Sequence, residues 1–253
     1  AATPISIGSV KNFFSIIMRL SVPQLTVRRF FASALMLLAA MFALQVSSAV
    51  NDSQTVDEGA HLAAGYSYWK TGDFRLNPEH PPLLKLLASV PLLALPIHLP
   101  TSADAWREGD QWAFARELLY HNTIPADTIL FWGRLFPMLS GLALAALVAV
   151  WSWRLWGAKG GLVSLLLFAF DPNILAHSRY ITNDVAVALF FTLTIYLFGK
   201  YLAAPHWKTA VPVWVAFALA QMTKFSALIL LPVLAILWVA MIALHGEYRM
   251  RLG

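Results

Sequence analysis

No cysteine occurs among the 253 residues, which excludes disulfides, thiolate nucleophiles, iron–sulfur clusters and cysteine-ligated zinc. Charge is also scarce. Asp, Glu, Lys and Arg make up 12% of the chain, against about 25% in soluble domains. That is too little to coat a water-facing surface, and a soluble enzyme is excluded. The chain is filled instead by hydrophobic residues, 59% of the total, and its mean hydropathy is +0.65. The formal net charge of +5 raises the possibility of nucleic acid as a partner. The basic residues, however, follow the boundaries of the apolar runs and do not form one face, so nucleic acid is excluded too.

A helix that crosses a bilayer needs ~20 apolar residues. Residues 30–50, 129–153, 158–176 and 185–201 qualify, with Arg134 near the start of the second run and Asp171-Pro172 late in the third. One helix over 210–244 would be about 52 Å long, well beyond the ~30 Å hydrocarbon core. Lys224 lies in its middle, so two spans are expected, 211–222 and 225–244. The expected fold is all-α, a polytopic bundle of six spans with a large loop of interfacial helices. With the N-terminus in the cytoplasm, the inner segments carry ten bases (Lys11, Arg19, Arg28, Arg29, Arg154, Lys159, Lys200, Lys208, Arg249 and Arg251) and one acid, Glu247. The other acids all face outward, as the positive-inside rule requires. Three parts are expected: a cytoplasmic or interfacial segment 1–29 with an amphipathic patch at Phe13–Ile17, a membrane module 30–245, and a cytoplasmic tail 246–253.

The loop between the first two spans, residues 51–127, is long enough to be functional. Its first helix opens at Thr55-Val56-Asp57-Glu58, a capping box, and Gly72 is a plausible stop. Acids in a first turn favour the helix dipole whether or not they do chemistry. Asp57 and His61 share a face at i, i+4 spacing, as an acid–base pair, a metal pair or a plain surface contact would. Further on, Asn77-Pro78-Glu79-His80-Pro81-Pro82 holds Glu79 and His80 on a stiff connection. Lys85 follows within a turn, placed either to meet a lipid phosphate or simply to snorkel. A second cluster joins the third and fourth spans: Asp171, His177, Arg179 and Thr182-Asn183-Asp184, the last of these also an ordinary N-cap. Lys224 falls on the same side.

Taken together, these residues resemble the polyprenyl-phosphate-dependent glycosyltransferases of the GT-C class. The likeness is to the family-39 type, which includes protein O-mannosyltransferases and the lipid A aminoarabinose transferase. The matching elements are Asp57-Glu58 with His61 and Gly65-Tyr66, Thr71-Gly72-Asp73, Asn77–Lys85, and Gly109-Asp110-Gln111-Trp112. Asp171-Pro172-Asn173 with Ala176-His177, Thr182-Asn183-Asp184 and Thr223-Lys224-Phe225-Ser226 complete the set, in family order.

The resemblance implies inverting transfer of a sugar from a polyprenyl-phosphate carrier to an acceptor at the non-cytoplasmic face of a bacterial inner membrane. It makes Asp57 the general base, Glu58 and Asp184 the other catalytic acids, and Lys85, Arg179 and Lys224 the cations for the donor phosphate. His61, Glu79, His80, His177 and Asn183 would support them. Some GT-C enzymes use a divalent metal, and Asp57, Glu58 and His61 would be its ligands here. Members of the family commonly run to twice this length, so the likeness covers their N-terminal conserved half. The alternative expectation is a fragment, or a non-catalytic membrane subunit whose partners supply the missing half. A transporter has no support, since there is no internal repeat and no charged pair at mid-span.

Overall fold

The computed structural model describes residues 27–245; the patch at 13–17 and the tail 246–253 lie outside them. Every regular element among the described residues is helical. Helix α1 (Val27–Asn51) carries Arg28 and Arg29 at its start and no charge thereafter. A cap of short helices follows: α2 (Val56–Thr71), α3 (Leu83–Ser89) with a 3₁₀ extension (Val90–Ala94), α4 (Asp104–Glu108) and α5 (Gln111–Tyr120). The chain then re-enters the bundle through α6 (Ala126–Ala169), α7 (Pro172–His177), α8 (Asn183–Ala203), α9 (Trp207–Thr223), a 3₁₀ turn (Phe225–Ile229) and α10 (Leu230–His245).

The 44 residues of α6 are two helices. At Trp156 and Gly157 the backbone leaves the helical region, and Gly157 takes φ 74°, which suits glycine alone. The chain reverses there. Residues 158–169 pack back on the preceding half, because Gly161 lets its backbone approach the Ala149 carbonyl, where an added Cβ would sit 2.8 Å away. Met41 of α1 joins Ala145, Ala149, Leu165 and Ala169 in one buried cluster, so α1 closes over both halves. Phe30 stacks on Trp153 at 4.7 Å, and Gln45 donates to Ser178 Oγ at 2.6 Å inside the apolar bundle.

Among the described residues four helices are long and apolar enough to cross a membrane: Val27–Asn51, Ala126–Ala169, Asn183–Ala203 and Phe225–Ala243. The expected third span is shorter than its apolar run, since its helix stops at Ala169 and Asp171 caps the separate α7. The expected fifth is α9, whose 17 residues extend about 25 Å. Lys224 breaks the chain between α9 and the last span, with extended φ/ψ of −153° and 135°. Helix α10 packs lightly on α8 and is exposed along nearly all of its described length.

The cap has a core of its own. Leu62, Tyr66, Leu84, Leu92, Phe114 and Leu118 bury one another, and Ile129, Leu130 and Ile181 from the bundle complete the cluster. The capping box forms at Thr55, whose N–H donates to Glu58 Oε2 at 2.9 Å. Gly72 ends α2 in the left-handed conformation. Gly65 brings α2 and α3 into backbone contact: an added Cβ would lie 2.0 Å from the Lys85 carbonyl oxygen.

Candidate active site

The cap is bolted to the bundle by a buried ion pair. Glu58 and Arg134 are 0% and 1% exposed, and the guanidinium grips the carboxylate with two bonds, Nε to Oε1 at 2.8 Å and Nη2 to Oε2 at 2.7 Å. Its other donors reach the carbonyls of Ala49, Asp52 and Ser53 at 2.8–2.9 Å, so the cation also stands at the C-terminus of α1, where the helix dipole favours it. Glu58 further accepts from Thr55 and from the Ile181 N–H at 3.2 Å. A charge in an apolar run demands such a partner. Arg134 was legible in the sequence only as that isolated charge.

Ile181 carries the second attachment. Its N–H goes to Glu58, and its carbonyl accepts from His61 Nδ1 at 2.7 Å. Both backbone groups of one residue are thus docked on α2. Thr182, Asn183 and Asp184, which begin α8, follow directly from this docked residue. Because a carbonyl only accepts, Nδ1 of His61 carries the proton and Nε2 is the basic nitrogen. Burial lowers the His61 pKa, with the charges of His80 and Lys85 adding to it and the Ile181 bond and Asp57 opposing it. The imidazole is therefore neutral at pH 7. The His80 ring lies 5.4 Å away, edge to face. Asp57, one turn before His61, is exposed, and among the described residues its carboxylate has no hydrogen-bond or ion-pair partner.

The proline-bound loop is held from within by Lys85. Its ammonium is turned inward to Asn77 O (2.6 Å), His80 O (2.8 Å), Tyr68 Oη (3.0 Å) and Asn77 Oδ1 (3.1 Å), and the residue is 1% exposed. Burial lowers its pKa to about 8, against the opposing charge of Glu79. As placed, Lys85 holds a loop and does not face a ligand. Tyr68 donates onward to the Leu76 carbonyl, and burial, then the Glu79 charge, raises the phenol to about 12. Asn77 adopts φ 50°, which asparagine tolerates. Gln111, the first residue of α5, accepts from Asn77 and donates to Glu79, both at 2.6 Å. Glu79 stays exposed at the surface of the cap.

The remaining expected residues form two exposed or half-exposed pairs. Asp184 meets Lys224 at 2.8 Å, and Arg179 meets Asp52 at 2.7 Å with Tyr180 Oη against the guanidinium. Asn183 is 3% exposed, and neither its amide nitrogen nor its oxygen has a hydrogen-bond partner among the described residues. His177 is exposed at the end of α7, outside these bonded groups. The expected metal set is not assembled. Among the described residues no three His, Asp or Glu side chains gather to hold an ion. Glu58 is consumed by Arg134 and His61 Nδ1 by Ile181, which leaves Asp57 alone.

Residues 128–251 match the dolichyl-phosphate-mannose-protein mannosyltransferase family, which is of GT-C type. The match runs from the head of α6 to beyond α10 and includes Arg134, Ile181, Asp184 and Lys224; the cap precedes it. No curated protein and no solved structure matches the chain.

Proposed function

With a membrane module matched to a GT-C glycosyltransferase family, we propose that this chain transfers a sugar from a polyprenyl-phosphate carrier to an acceptor, with inversion and with Asp57 as general base. The observation that carries the reading is the state of Asp57. It is an exposed carboxylate, unpaired among the described residues and beside a neutral histidine, on a helix fastened to the family-matched module through Glu58–Arg134 and Ile181. The Asp57 carboxylate takes the proton from an acceptor hydroxyl or amine. The freed lone pair attacks the anomeric carbon in line, and the bond from that carbon to the carrier phosphate oxygen breaks. A single displacement inverts the centre. General-base assistance of this kind is worth about 10²–10⁴-fold.

The leaving phosphate needs positive charge, and Lys224 and Arg179 supply it from the cap end of the bundle; both are already poised on carboxylates that the phosphate would displace. Asp184 then orients donor or acceptor. Glu58 and Lys85 act as positioning residues, since their polar atoms are spent inside the protein. The reading sets the cap on the non-cytoplasmic side of a bacterial inner membrane and the N-terminus in the cytoplasm. A second reading, a non-catalytic subunit working with partner chains, is favoured by the inward commitment of Lys85 and Glu58.

The test is release of polyprenyl phosphate from a labelled polyprenyl-phosphate sugar by the full chain in native membrane vesicles, which contain acceptors. Asp57→Asn is expected to lose about 10²-fold or more of the rate with an unchanged melting temperature. Undiminished turnover by that variant would remove Asp57 as base. No turnover by the unaltered chain, together with stable co-purification of partner chains, would favour the subunit reading.

A further inference from the structure

Helix α8, 21 residues long, begins with buried polar atoms that no group among the described residues satisfies. Thr182 stands at its N-cap in the extended conformation that a capping residue takes, yet its hydroxyl caps no N–H and is buried without a hydrogen-bond partner. Asn183, the first helical residue, is 3% exposed, and both the nitrogen and the oxygen of its amide are unpartnered. Leaving a buried polar group unpaired is destabilising, and three such atoms on adjacent residues call for a ligand group or a water to complete them. Thr182 is half-buried and Asp184 exposed, so the segment reaches the surface on either side of Asn183.

The balance of donors and acceptors selects the ligand. An asparagine side chain sets an NH₂ donor beside a carbonyl acceptor, and a threonine hydroxyl both donates and accepts. A phosphate only accepts, so it would leave Asn183 Oδ1 unpaired, and the Asp184 carboxylate already in the first turn of α8 repels it. A metal ion or an ammonium would leave the NH₂ group unpaired. Hydroxyls do both: of two neighbours on one ring, one accepts from Nδ2 while the other donates to Oδ1. Such pairs are carried by neutral sugars. The place in the fold agrees with this chemistry. Two residues earlier, Ile181 is docked through Glu58 and His61 on α2, the helix of Asp57. The next residue, Asp184, meets Lys224 at 2.8 Å, and Lys224 is the cation assigned above to the donor phosphate.

We propose that Asn183, with the Thr182 hydroxyl, selects the sugar of the donor by holding two adjacent ring hydroxyls, which makes the substrate a neutral sugar with a free vicinal diol. The proposal rests on the transfer reading and adds to it the residue that determines sugar specificity.

The test is equilibrium binding, to the full chain in lipid nanodiscs, of polyprenyl phosphate that is bare or carries mannose, glucose or galactose. At least one hexosyl carrier is expected to bind about tenfold tighter than the bare carrier, the gain from two hydrogen bonds. Asn183→Leu is expected to erase that gain and to leave the affinity for the bare carrier unchanged; Asn183→Ala supplies the same comparison should leucine not fit. On the unaltered chain, the same hexosyl carriers with their ring hydroxyls O-methylated are expected to bind no tighter than the bare one. A gain that survives in both variants would mean that the amide holds a bridging water only, and would overturn the proposal. So would the absence of a gain with every hexose, or a loss of affinity for bare and hexosyl carriers alike, which marks a purely structural residue. Sugar-dependent binding without turnover would retract the transfer reading and keep this site; turnover with the gain intact in both variants would do the reverse.

Discussion

Replacing Glu58 by glutamine separates framework from chemistry. The carboxylate and Arg134 are 0% and 1% exposed, so neither charge is screened by water. Breaking a buried pair by neutralising one partner costs about 3–5 kcal/mol, because the surviving charge stays desolvated. Three carbonyls, Ala49, Asp52 and Ser53, continue to hold the guanidinium, which places the expectation toward the lower figure. Glutamine also brings an NH₂ group against N–H donors from Arg134, Thr55 and Ile181, where the carboxylate accepted from all of them. For a chain of this size the loss corresponds to a fall in melting temperature of about 6–20 °C. The assay is thermal unfolding in detergent followed by tryptophan fluorescence, run beside Asp57→Asn, which is expected to melt unchanged. A double variant, Glu58→Leu with Arg134→Met, removes both charges and is expected to recover part of the loss. If Glu58→Gln melted like the unaltered chain while turnover vanished, Glu58 would be catalytic and the framework argument would fail.

Gly65→Ala puts a Cβ 2.0 Å from the Lys85 carbonyl, against 3.4 Å for ordinary contact, so α3 must retreat by about 1.4 Å; a cost of about 1–3 kcal/mol is expected, read as lost thermal stability together with lost transfer. Lys85 gives a pH signature. Its folded pKa of about 8 lies below the ordinary 10.5, so between those values the unfolded chain binds a proton that the folded chain has released, and stability rises with pH there by up to about 3 kcal/mol. Lys85→Met is expected to flatten that rise in unfolding measured from pH 7.5 to 10.5; an unchanged slope refutes the assignment. Lys224→Gln removes a half-exposed ion pair worth about 0–1 kcal/mol, so the melting temperature should barely move while KM for the carrier sugar rises. A KM equal to that of the unaltered chain would exclude Lys224 from phosphate binding.

The fold was readable wherever one local signal decided it. Apolar runs located the membrane helices, Thr55 with Glu58 announced the start of α2, Gly72 its end, and Lys224 the break before the last span. The third span was read too long because hydropathy continues through residue 176, whereas Asp171 and Pro172 start a new helix that an apolar count does not register. In the candidate site, residue types were legible and their partners were not. Glu58 lies 76 positions from Arg134 and 123 from Ile181, and no periodicity links positions so far apart. The same distance effect misled the metal assignment: Asp57, Glu58 and His61 share a short stretch, but tertiary contacts draw Glu58 and His61 onto α6 and the Ile181 segment. Lys85 is expected from the sequence either to meet a lipid phosphate or to snorkel, and in the structure the proline loop folds around it.

The docking of Ile181 orders the assembly of the molecule in time. Glu58 is made early, yet its last hydrogen bond comes from a backbone group 123 residues downstream, and His61 waits for the carbonyl of that same residue. Until α1 and both halves of α6 have been made and the chain has grown past 181, α2 cannot settle on the bundle with its donors and acceptors matched. A chain halted before that point carries a finished cap sequence without the strap that seats it. Final seating of the cap is therefore a late event in synthesis, governed by the arrival of Ile181, immediately before the residues that begin α8.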